Sequence, residues 1–281
     1  MCVFFKVHYG SRNRDLMVEW IAYNVLQGAQ HFYVYVNEDS RDTRTLLRPH
    51  VDDGLVSIVE WRWNASQPNN PTNWAFQLTQ INSCRKRYSG LARWSRNLTL
   101  ILHFGFTHMK GKKQARCCWH LTLPLPNRWV GFMDIDEFFQ PLDPATPTVS
   151  AFLAALRPDV AVVHINSVFY GNCKGGARYQ GLATQACRSR QLRDVYVRGK
   201  NLVRPDRVLA MDVHFPMSLH NGFRVLEANP RTAVRMNHYK LKQRYGKLSC
   251  VADASMLALG PALTAAIAKA YPDGLPQLPG R

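Results

Sequence analysis

The feature that most narrows the fold is a strict alternation of strand-like and helix-like segments in the first part of the chain. Cys2 to Val7 is a short apolar run with the character of a buried strand. Asp15 to Gln27 carries Leu16, Val18, Trp20, Ile21, Val25 and Leu26 mostly on one helical face, and Gly28 stops it. His31 to Val36 is β-branched and aromatic, a strand. Ser40 caps a short helix over Arg41 to Arg48 that Pro49 ends, and the Asp53-Gly54 turn leads into a strand over Leu55 to Trp61. Strands joined through helices by short links pair in parallel, with the helices on the sheet faces. The predicted class is therefore α/β, with a mostly parallel central sheet and flanking helices, in a single domain over residues 1–281.

The rest of the chain is less regular. Pro71 to Cys84 reads as a helix with Pro at its start. Trp129 to Ile135 is a buried strand, Thr148 to Leu156 a helix and Val160 to Asn166 a strand. Short strands are expected at 184–190, 201–203, 208–213, 223–227 and 232–236. An Ala/Leu-rich helix is expected over about 252–270, and residues 271–281, with three prolines, read as a frayed tail. Residues 89–127 carry no acidic side chain and no sustained period. They read either as a basic surface insertion or as an artefact of the gene model.

Charge bears on partners. The chain has 36 Lys+Arg against 19 Asp+Glu, a formal net charge of +17. Such a balance favours an anionic partner. Zinc-finger spacing, a helix-turn-helix and an aromatic-basic RNA motif are all missing, so nucleic acid is not expected. The seven cysteines form no Cys-x-x-Cys pair, which excludes zinc-ribbon and thioredoxin-like chemistry and leaves free thiols or one or two disulfides open. No window has the roughly 18 consecutive apolar residues of a membrane span, and no targeting signal is visible.

The strongest chemical signal is Gly131-Phe132-Met133-Asp134-Ile135-Asp136-Glu137-Phe138-Phe139. An apolar strand ends in two aspartates one residue apart. At the carboxyl edge of a parallel sheet such carboxylates face the ligand crevice. Together they suit one hard cation, Mn²⁺ or Mg²⁺, held between carboxylates and substrate phosphates. The plainer reading of an isolated Asp-x-Asp is a solvated turn capping the next element.

Several separated motifs give this chain a resemblance to glycosyltransferase family 92. Glu19-Trp20-Ile21-Ala22-Tyr23-Asn24 resembles the family's Glu-Trp-x-x-Tyr/His helix. Gly28 to Asn37 resembles its Gly-Val-x-His-Phe-x-x-Tyr-Asp-Asn strand, and Asp39, Ser40 and Asp42 sit where it has Ser-Ser-Asp. Gln77, Cys84, the Asp134-to-Phe138 core, Lys200 with Arg204-Pro205, and Asn237-His238-Tyr239 complete the series in order.

The resemblance implies a GT-A-like, Rossmann-like fold with a smaller acceptor-side subregion. It implies a metal-dependent inverting transfer of a sugar, galactose by analogy, from a UDP-sugar to a glycan or glycoprotein acceptor. It also implies a Golgi lumenal enzyme whose N-terminal anchor is not in this sequence. By the same resemblance Asp134, Asp136 and His238 would hold Mn²⁺ or Mg²⁺. Lys6, Asn37, Asp39, Lys200 and Arg204 would bind substrate. Two departures touch the donor pocket: Val36 stands where the family prefers Asp, and its Lys-Asn-Glu reads here as Lys6-Val7-His8. Residues 89–127 match nothing in the family.

An inverting transfer needs a base within hydrogen-bond reach of the attacking hydroxyl. Glu137 and His214 are the first candidates, with Asp212 and Glu227 behind them. Two other functional readings stand beside the transferase: a relative that binds glycans without transfer, and a basic nucleic-acid-binding protein.

Overall fold

The computed structural model describes residues 2–5, 11–36, 41–60, 78–86, 129–173, 187–189, 199–245 and 250–277. Lys6, Asn37, Asp39 and the whole of 89–127 lie outside the described residues.

The alternation seen in the sequence holds at the start of the chain. β1 (Cys2–Phe5), α1 (Ser11–Leu26), β2 (Phe32–Val36), α2 (Arg41–Asp52) and β3 (Val56–Glu60) follow one another. β1 pairs in parallel with β2, β2 with β3, and β1 also with β4 (Val130–Met133). Helical residues 78–86 form α3, the described part of the helix expected over 71–84.

Beyond β4 the pairing changes. β9 (Lys200–Val203) runs antiparallel to both β4 and β6 (Val160–Ile165), and β6 pairs in parallel with β12 (Arg224–Ala228). The described strands thus form a seven-stranded sheet in the order β12-β6-β9-β4-β1-β2-β3. A five-stranded sheet, β14-β8-β7-β13-β5, joins β5 (Glu137–Pro141), β7 (Ser167–Cys173), β8 (Cys187–Ser189), β13 (Val234–Tyr245) and β14 (Cys250–Ala252). β10 (Val208–Met211) and β11 (Pro216–Leu219) make a hairpin. The molecule is mixed α/β with several sheets that are only partly parallel. The expectation of a mostly parallel sheet holds for the β3-β2-β1-β4 half and not for the five-stranded sheet, where β7–β13 is parallel and the other pairs are antiparallel.

The large sheet is covered on both faces, which is why its strands read as unbroken apolar runs. Successive residues point to opposite sides. Val34, Met133, Val163 and Leu202 join one core with α1, α2, α4 (Val149–Ala154) and α5 (Gly260–Ala270). Tyr35, Phe132, Val162 and Val203 join another with Ile81 and Cys84 of α3 and with Val208 and Met211 of the hairpin. Asn82 of α3 fixes that hairpin by bonding both the carbonyl and the amide of Met211, at 2.9 and 3.1 Å.

Several boundaries differ from the sequence reading, β13 most of all in running on to Tyr245, and three of the differences have a plain physical reason. α2 continues past Pro49 to Asp52, because His50 is buried against Tyr271 and Gly54, at φ 73°, closes the end. α5 starts only at Gly260, since Pro261 is accepted in a first turn and not in a helix interior. The stretch read as a frayed tail begins with an anchored residue: Tyr271 is buried, and its hydroxyl donates to the Leu46 carbonyl at 2.8 Å. Among the described residues no helix is long and apolar enough to cross a membrane.

Candidate active site

Two short links carry the chain from the large sheet to the five-stranded sheet, apart from the longer passage from β12 to β13. β4 passes into β5 through Asp134, Ile135 and Asp136, and β6 passes into β7 through Asn166. β13 ties the two crossings together. Its Met236 amide donates to Asn166 O at 2.9 Å, its Tyr239 amide to Asp136 O at 2.8 Å, and His238 lies opposite Glu137 in the ladder. The candidate residues gather at this seam.

Asp134 stands at the carboxyl end of β4, the middle strand of the large sheet. A tight turn follows: the Glu137 amide donates to Asp134 O at 3.2 Å, and Glu137 Oε2 accepts from the Asp134 amide at 2.9 Å. The turn leaves both aspartates partly open, with side chains 39% and 32% exposed. α1 holds the strand that follows. Trp20 Nε1 donates to the Glu137 carbonyl at 2.8 Å, and the Tyr23 hydroxyl to the Phe139 carbonyl at 2.6 Å. The two aromatic residues of the Glu-Trp-x-x-Tyr motif therefore support the Asp-x-Asp turn from behind.

Each aspartate answers a different cation. Lys200 Nζ lies 3.0 Å from Asp134 Oδ2 and 3.3 Å from Glu137 Oε2. His238 Nε2 lies 3.4 Å from Asp136 Oδ2, and its Nδ1 lies 3.7 Å from Glu137 Oε1. The fold thus brings His238 to Asp136 across about a hundred residues of sequence. His238 Nδ1 is buried and has no hydrogen-bond partner among the described residues.

The electrostatics follow from burial and neighbours. Burial pushes the Glu137 carboxyl up to about 7, against the pull of Lys200 and with the help of Asp134. Burial opposes ionisation of Asp134 too, yet the charge and hydrogen bond of Lys200, with His238 and His214, bring its pKa below the usual value. Lys200 is itself disfavoured by burial, but Asp134 and Glu137 raise it above an ordinary lysine. Burial lowers the His238 pKa, and its contact with Asp136 and Glu137 more than reverses that, leaving it above the usual histidine value.

His214 sits in the β10–β11 turn. Its Nδ1 lies 3.0 Å from Gly199 O, and its amide bonds Asp212 Oδ1 at 3.2 Å. A carbonyl only accepts, so Nδ1 carries the proton and Nε2 keeps the lone pair. Burial lowers the His214 pKa, which favours the neutral ring. Gly199 is needed where it is: a Cβ there would come 2.4 Å from His164 Nε2 and 2.9 Å from Ile165 O.

Not every candidate comes to the seam. Arg204 lies at the other end of β9, where its guanidinium stacks 4.6 Å over the Trp129 ring and donates to Pro158 O at 2.8 Å. Because β9 is antiparallel to β4, Val203 faces Val130 while Lys200 lies toward Asp134. The fold does not bring Arg204 to the aspartates. Asp212 is buried and spent on the turn, and Glu227 is exposed on the edge strand β12.

A divalent ion can be tested against this donor set. Carboxylate oxygens and one imidazole suit a hard or borderline cation. The 3.4 Å between Asp136 Oδ2 and His238 Nε2 is a separation that two ligands of one ion can share. Asp134 is drawn aside by Lys200. Among the described residues no group of three or more His, Cys, Asp or Glu is already gathered to hold a metal. The donor types suit such an ion, with one of the two carboxylates, Asp134, engaged by Lys200.

A sequence profile described as glycosyltransferase family 92 matches residues 5–98 and 125–255, most of the chain. The chain belongs to glycosyltransferase family 92. The family match is interrupted between residues 98 and 125, within the stretch that lacks acidic residues. No curated protein matches the chain. The family's Trp20 and Tyr23, its Asp134-to-Phe138 core, Lys200 and His238 are the residues that meet at the seam. Sequence reasoning had not assigned Trp20 and Tyr23 a task. Nor had it seen that Lys200 pairs with Asp134 and Glu137, since strand order across the sheet has no local signal.

Proposed function

We propose that this family 92 protein transfers a sugar from a nucleotide-sugar, UDP-galactose by analogy, to a glycan or glycoprotein hydroxyl with inversion. The observation that carries this reading is the meeting of Asp134, Asp136, His238 and Lys200 at the carboxyl end of β4 in a chain of this family. The strand order β3-β2-β1-β4 supports a GT-A-like arrangement, because the chain reverses direction across the sheet between β1 and β4, and ligands of open α/β sheets bind at such a point.

Asp136 and His238, with Asp134, would hold a Mn²⁺ or Mg²⁺ ion. When bound, that ion supplies Lewis-acid neutralisation of the leaving diphosphate. Lys200 adds a fixed positive charge beside it. His214 suits the base better than Glu137 does. Its ring is held by Gly199 O with Nε2 unprotonated, so Nε2 can take the proton of the attacking hydroxyl. Glu137, 2% exposed, is closed off from an acceptor and acts as a positioning residue for the Asp134 amide and Lys200. The disulfide at Cys84 suits an oxidising compartment such as the Golgi lumen.

The test is release of UDP from UDP-sugars with and without Mn²⁺, in the wild type and in His214→Ala. Metal-dependent turnover that His214→Ala removes, with UDP affinity kept, supports the reading. Turnover indifferent to Mn²⁺ would overturn the metal role, and full turnover in His214→Ala the assignment of the base.

A further inference from the structure

We infer that Lys200 is a resident counter-cation of the carboxylate cluster, so that the free protein binds a divalent ion weakly and takes it up together with the donor's diphosphate. This rests on the reading of the seam as the donor site.

Lys200 is held from two sides. Its backbone lies in the ladder opposite Ile165 of β6, and its ammonium is wedged between Asp134 and Glu137. The side chain is only 5% exposed. A buried ammonium needs an anionic partner, so Lys200 does not simply withdraw into solvent. Asp134 would have to serve both Lys200 and an arriving ion. Two like-signed charges a few ångström apart, one of them divalent, repel strongly enough at a half-buried site to cost more than tenfold in affinity.

A diphosphate relieves the conflict. Its negative charge gives Lys200 a second acceptor and gives the ion extra oxygen ligands, so Asp134 can turn from the ammonium to the ion. Asp136 and His238 offer the side of the site that Lys200 leaves untouched. Ion and nucleotide then bind with positive coupling, and each raises the affinity of the other by the same factor.

The experiment is Mn²⁺ binding, followed by the electron paramagnetic resonance of free Mn²⁺ and corrected for the Mn²⁺–UDP complex. Wild type and Lys200→Met are compared with and without UDP. The wild type should bind Mn²⁺ at least tenfold more tightly with UDP than without it. Lys200→Met should bind Mn²⁺ alone at least tenfold more tightly than the wild type and show little further gain from UDP. If Lys200→Met does not fold, the double variant Lys200→Met with Glu137→Gln removes both buried charges and carries the same expectation. Equal Mn²⁺ affinity of the wild type with and without UDP overturns the inference. So does a folded Lys200 variant that binds Mn²⁺ no more tightly; if UDP still recruits Mn²⁺ in that case, the donor-site reading stands. Failure of every protein to bind Mn²⁺ under any condition removes both.

Discussion

Lys200 and Arg204 carry the same charge, sit four residues apart and lie at the two ends of one short strand. Lys200 is buried against Asp134 and Glu137 at the seam between the sheets. Arg204 lies beyond the opposite end of β9, stacked on Trp129 and bonded to the Pro158 carbonyl that Arg207 also uses. A strand rises about 3.3 Å per residue, so four residues separate them by roughly 13 Å. A basic residue's role here is set by strand direction. Each side chain meets what its end of β9 reaches: carboxylates at the carboxyl end of β4 for Lys200, and for Arg204 the Trp129 indole before β4 and the Pro158 carbonyl before β6.

The largest effect expected is at the carboxylate end. Asp136→Ala should lower metal-dependent sugar transfer by roughly 100-fold or more, since a ligand of the Lewis acid is lost. The melting temperature should stay nearly unchanged, because the Asp136 side chain is a third exposed and bears little of the core. Unfolding of the variant would instead make Asp136 a structural residue.

Trp20→Phe probes the support behind the turn. It removes a buried hydrogen bond to Glu137 O and should cost about 1–3 kcal/mol in chemical denaturation. Mn²⁺ affinity in the presence of UDP should weaken with it, because β5 carries Glu137 and follows Asp136. A loss of stability with ion binding intact would detach α1 from the site.

Arg204→Ala sharpens the comparison itself. Loss of the guanidinium stack on Trp129 and of the Pro158 bond should cost about 1–2 kcal/mol. UDP affinity should stay within about twofold of wild type, given the roughly 13 Å between the ends of β9. A large drop in UDP affinity, at unchanged fold, would put the donor diphosphate at the wrong end of the strand.

The smallest effect is in pH dependence. The folded protein holds the Glu137 proton more tightly than the unfolded chain does, with the carboxyl raised from 4.5 to about 7. That group therefore contributes most stability at low pH and loses its contribution as pH rises from about 4.5 to about 7. Glu137→Gln should flatten the stability profile across that window, and an unchanged slope would show that burial does not govern this carboxyl.

Much of the parallel half was legible because its signals are local. The apolar runs of β2, β3 and β4 and the Asp-x-Asp at the end of β4 can be read from neighbours in sequence. β5 was missed because Glu137, Phe138, Phe139 and Gln140 are all buried and show no alternation. The approach of His238 came from family resemblance, since pairing of β13 with β5 joins residues about a hundred positions apart. Arg204 was grouped with Lys200 because spacing carries no information on which way a strand runs. Lys200 looked like a residue facing substrate, and only the antiparallel β9 shows it buried between two carboxylates.

The most direct test of the central claim is a crystal structure of the protein with Mn²⁺ and UDP, with the ion located by its anomalous scattering. The ion should lie within ligand distance of Asp136 and His238, at the carboxyl end of β4, with the diphosphate reaching toward Lys200. An ion or diphosphate bound instead at the Trp129 and Arg204 end would contradict that claim.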